Sequence, residues 1–180
     1  SVDEDERWPV RLARALEESG WSTVDVEIIA RTGWTTAELD RGIDAADPQG
    51  PFDLVTILIG VNDQFRGRSA DAYGEELAAM IERAQGFSTG PVLMVSIPDW
   101  GTTPYGEGYS PKVIARDIDE YNAVGTEVSA AAGIPFVDIT PISRSGDPDL
   151  VSYDDLHPSG SQYAAWVEEI LPVAIDLLEG

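Results

Sequence analysis

Apolar residues recur along this chain with two alternating periods. Trp8, Leu12 and Leu16 fall four apart on one face, with Pro9 tolerated in the first turn and Gly20 as a stop, so Trp8 to Gly20 is expected to be a helix. Short apolar runs at Val24 to Ala30, Leu54 to Ile59, Pro91 to Ile97 and Pro135 to Ile139 predict strands. The later runs are apolar almost throughout, as strands buried on both faces should be. Helical patterns separate them: Thr35 or Thr36 to about Ala46, Ser69 or Asp71 to about Gln85, and Lys112 to Ala132. A loop rich in Gly, Pro and Tyr covers Pro98 to Pro111, and Thr140 to His157 reads as irregular. Ser159 is placed to cap a last helix, with Pro172 as a kink within it. Short strands alternating with helices predict an α/β fold, a parallel sheet with helices on both faces. No linker, repeat or low-complexity stretch divides the 180 residues, so one domain is expected.

Composition narrows the chemistry. With 33 acidic and 11 basic residues the net charge is −22, a surface that repels phosphate backbones, so no nucleic-acid partner is expected. The absence of cysteine excludes disulfides, a thiolate metal site and a cysteine nucleophile. No stretch is long and apolar enough for a membrane span, and no signal peptide is visible. A cytoplasmic location is the expectation, with secretion left open. Neither Gly-x-Gly-x-x-Gly nor Gly-x-x-x-x-Gly-Lys occurs, which leaves phosphate or nucleotide binding with little support. A metal site would need carboxylates for nearly all its ligands. No cofactor or metal is therefore expected.

One histidine remains to carry proton transfer. His157 lies three residues after Asp154, just ahead of the last helical pattern. Ligands in open parallel sheets bind beyond the carboxyl ends of the strands. The residues following each predicted strand there are Gly33, then Asn62-Asp63, then Asp99-Trp100, then the loop holding Asp154 and His157. Singly, each has a plain structural use: Gly33 and Asn62-Asp63 as turn residues, Asp154 as a helix-start cap, the aromatics as packing. Together they suit acyl transfer. The Gly33 N–H and the Asn62 amide would donate to an oxyanion. His157 would take a proton from a serine hydroxyl, with Asp154 fixing the tautomer. Trp34, Trp100 and Tyr105 are candidate walls of a substrate pocket.

Gly33, Gly60-x-Asn62-Asp63 and Asp154-x-x-His157-Pro158 resemble the second, third and fifth sequence blocks of the SGNH, or GDSL, hydrolase family. The resemblance runs from about Trp8 to the C-terminus. It implies a flavodoxin-like three-layer α/β/α sandwich and esterase or lipase activity on a small-molecule ester. By position it assigns His157 as base, Asp154 as its partner, and Gly33 and Asn62 as oxyanion donors, with Asp63 shaping the loop. The family's first block, Gly-Asp-Ser with the nucleophile, does not occur in the chain. Ser1 to Arg7 are too acidic for the buried strand that carries it. In the flavodoxin-like order that strand lies inside the sheet, and unpaired buried backbone groups cost about 1–3 kcal/mol each. The expectation is therefore a nucleophilic serine upstream of residue 1, on a preceding segment or a strand supplied by a neighbouring chain. The alternative is a noncatalytic relative that keeps the cleft and binds a ligand.

Overall fold

The computed structural model describes residues 2–180. Three parallel strands lie in the order β1 (Val55–Ile57), β2 (Val92–Val95) and β3 (Phe136–Val137). Val55 pairs with Val92 and Met94 with Phe136 in register. Alternation across the pleat sends successive side chains into two separate cores. Val92 and Met94 join Val55, Ile57 and Phe136 on one face, against α4 (Ala70–Phe87) and α5 (Pro111–Ala132). Leu93, Val95 and Val137 meet α1 (Trp8–Glu18) and α7 (Gly160–Glu179) on the other, through Leu12, Leu16, Trp166 and Ile170. The result is the expected helix–sheet–helix sandwich. α2 (Thr36–Ala46) packs on the α4 side through Leu39 and Ile43.

Capping follows the sequence. Thr35 and Glu38 form a reciprocal capping box at the start of α2, Ser69 caps α4, and Ser159 caps α7 by accepting from the Gln162 N–H. α7 runs to Glu179 with Pro172 inside it. The Thr140 to His157 stretch is less irregular than expected. It holds α6 (Thr140–Ser143) and a 3-10 turn at Pro148–Leu150.

One predicted strand is absent. Val24 to Ala30 is not part of a strand, and no backbone–backbone hydrogen bond is made by residues 24–30 among the described residues. Its apolar side chains are open to solvent, Val26 by 42% and Ile28 by 37%. Apolar composition gives a segment its strand propensity, but a strand exists only through its ladder partner. Nothing among the described residues supplies that partner. The same lack leaves β1 as a sheet edge although its neighbours Leu54 and Leu58 reach the α1–α7 core. The core strands are also shorter than their apolar runs. The residues beyond them bend away to form the loops that build the site.

Candidate active site

Beyond β1 the chain runs through Leu58-Ile59-Gly60 and turns at once into α3 (Val61–Phe65). The turn needs Gly60: its φ is 125°, and a Cβ there would stand 2.6 Å from the Tyr73 ring. Asn62 and Asp63 leave this short helix towards the loop before α2. The Asn62 Nδ2 donates to the Trp34 carbonyl at 3.0 Å, leaving a second N–H on the same nitrogen. Asp63 is fully buried and accepts from the Thr36 N–H at 2.9 Å and its hydroxyl at 3.2 Å. Its other oxygen faces the Arg68 guanidinium at 3.3 Å, and Arg68 in turn bonds Glu76 of α4. Burial pushes the Asp63 carboxyl above the usual range, opposed by the Thr36 donors and by Arg68.

Gly33 lies in the loop that these bonds secure. Its φ is 88°, a conformation that favours glycine, and its N–H has no partner among the described residues. Its carbonyl accepts from Arg66 at 2.6 Å. Gly33 and Asn62, 29 positions apart in sequence, are thus joined through Trp34 into one unit carrying two unengaged donors.

The histidine half is built locally. Asp155 adopts a φ of 62°, and this turn brings the Asp154 carboxylate back under the residues that follow it. One oxygen accepts from the N–H of Leu156 at 3.1 Å and of His157 at 2.9 Å. The other meets His157 Nδ1 at 2.9 Å. Partial burial pushes the Asp154 carboxyl up, but the two backbone donors and the imidazole together hold it well below the usual carboxylate range. It stays ionised in mild acid and can only accept from Nδ1–H, so in the neutral ring the lone pair lies on Nε2. Nε2 has no hydrogen-bond partner among the described residues. The loop is tied back by the Ser152 N–H donating to the His157 carbonyl at 2.8 Å and by the Ser159 hydroxyl donating to the Asp149 carbonyl at 2.6 Å.

The aromatic candidates divide. Trp34 packs its ring on α2, so close to Gly42 that a Cβ there would stand 2.2 Å from it. That ring serves the helix contact. Trp100 is buried, its Nε1–H donating to Gln64 of α3 at 2.8 Å. It forms the floor of a cluster with Phe65, Tyr105 and Tyr109, whose rings meet it at centroid distances of 5.3, 6.3 and 5.2 Å. The outer three are exposed. The Tyr105 N–H donates to the Asp155 carbonyl at 2.9 Å, which joins the cluster to the histidine loop. Sequence reasoning missed Phe65 and Gln64. The signal available was helical: Phe65 stands three residues after Asn62, on the same face.

A groove of about 640 Å³ lies elsewhere, on the β3 side, lined by Asn122, Phe136, Asp138 and Arg144 among others. None of the candidate site residues borders it. The paired Asp154 and His157 and the Gly33 and Asn62 donors lie outside that groove. No helix among the described residues is long and apolar enough to cross a membrane.

The fold has counterparts among known structures. The chain resembles the crystal structure of TesA, at 21% identity over 97% of this chain and 91% of that one with a TM-score of 0.76. It also resembles the psychrotrophic esterase EstA from Pseudoalteromonas sp., at 19% identity over 99% and 91% with a TM-score of 0.68. A member of the lipolytic protein G-D-S-L family from Veillonella parvula matches at 16% identity over 98% and 92%, with a TM-score of 0.75. No curated protein sequence matches the chain. The sequence profile of the GDSL-like lipase/acylhydrolase family spans residues 1–165, and the chain belongs to that family.

Proposed function

We propose that the chain, acting as one domain, is a serine ester hydrolase whose base is His157, oriented by Asp154, and whose oxyanion donors are the Gly33 N–H and the Asn62 amide. The observation that carries this reading is the 2.9 Å contact between His157 Nδ1 and the Asp154 carboxylate, which leaves Nε2 as a base. A serine Oγ attacks the ester carbonyl carbon as its proton passes to Nε2. The carbonyl oxygen becomes an oxyanion held by two donors. Collapse expels the alcohol, which takes the proton from His157, and water repeats the sequence to release the acid.

The nucleophilic serine belongs to a strand beyond the described residues, placed against the unpaired edge of β1. The unpaired Val24 to Ala30 and the open β1 edge support this completion. Trp100 and Tyr105, with Phe65 and Tyr109, would line the substrate side of the site.

The test is hydrolysis of p-nitrophenyl acetate by the protein and its His157→Ala variant. The variant should lose at least about 10⁴-fold in turnover while keeping its circular dichroism spectrum. Binding of esters without turnover would favour the noncatalytic alternative.

A further inference from the structure

α3 is short, yet three residues at or beside it reach the same loop. Asn62 holds the Trp34 carbonyl, Asp63 holds Thr36, and Arg66, at the helix C-cap, holds Gly33. The first two belong to the motif that marks the site. The third does not, and its geometry is specific. One end of the Arg66 guanidinium donates to the Gly33 carbonyl at 2.6 Å. Another nitrogen lies 3.1 Å from Glu38. Glu38 is itself fixed, because its carboxylate also accepts from the Thr35 N–H at 2.9 Å in the α2 capping box.

We propose that Arg66 is a positioning residue for the oxyanion site, holding the Gly33 carbonyl and, through it, the turn whose preceding peptide carries the Gly33 N–H. The inference rests on the ester-hydrolase reading above. Gly33 has no Cβ to restrict its backbone; its carbonyl lies in the Gly33–Trp34 peptide, which the Trp34 N–H also ties to the Arg31 carbonyl at 3.2 Å, and its N–H in the Thr32–Gly33 peptide, so Arg66 acts on the donor by stiffening this turn from its far side. An oxyanion donor works by being oriented before charge develops, so an unheld glycine would lose much of its effect. The guanidinium fork is planar and bridges two acceptors at once, one on the loop and one on α2.

The experiment compares the whole protein with its Arg66→Ala and Arg66→Lys variants. kcat and KM for p-nitrophenyl acetate are measured, along with the Gly33 amide resonance by NMR. Arg66→Ala should lower kcat by about 10- to 100-fold, less than loss of a donor itself, with KM changed less than about twofold. Arg66→Lys should fall nearly as far, since one ammonium does not span both acceptors. Added methylguanidinium should restore part of the kcat of Arg66→Ala. The Gly33 amide should shift in both variants. An unchanged kcat, full rescue by lysine, or a KM that carries the whole loss would overturn the proposal. If the unmodified protein shows no turnover, the hydrolase reading falls separately. The Gly33 resonance then decides the clamp alone: a shift keeps it, and an unmoved signal sinks it.

Discussion

The two halves of the candidate site are held by opposite means. The histidine half is local: Asp154 gathers the ring of His157 and two N–H groups, all within three residues of itself. The oxyanion half is tertiary. Its bonds join positions 62 to 34, 63 to 36 and 66 to 33, and one of them runs through a fully buried carboxylate. A local turn keeps its geometry through small changes in the surrounding fold. A unit stitched across two elements carries stability and function on the same bonds, so damage to one is damage to both.

That contrast is open to mutation. The largest effect is expected on the local side. Asp154→Asn keeps an oxygen to accept the Leu156 and His157 N–H groups, so the turn and the melting temperature should hold. The imidazole loses its charged partner and its fixed tautomer, and kcat should fall by about 10⁴-fold. Kinetics beside a thermal melt would show the two separating. Asn62→Ala comes next. It removes a donor worth about 10²–10³ in kcat and also the bond to the Trp34 carbonyl, which contributes about 1 kcal/mol. Here kcat and denaturant midpoint should fall together, with KM little changed. A stable Asn62 variant with full activity would erase the distinction between the halves.

Legibility in the sequence follows the same line. The Asp154–His157 contact was readable because it spans only three positions. Gly33 and Asn62 were readable as residues following apolar runs, and the structure joins them through the Trp34 carbonyl. Arg66, Gln64 and Phe65 were not, because their roles come from what α3 faces once folded. Nor was the packing of the Trp34 ring on Gly42 of α2, a contact 8 positions away that only the helix geometry creates. The Val24 to Ala30 strand failed on a different ground. Propensity belongs to a segment, but pairing belongs to a neighbour, and none of the described residues is that neighbour.

The central claim is that this arrangement activates a serine for attack on an ester. The most direct test is the intact mass of the purified protein after treatment with a fluorophosphonate probe, run beside His157→Ala. The account predicts one covalent adduct, mapped to a single serine and lost in the variant. No adduct on the folded protein, or an adduct formed equally without His157, would contradict it.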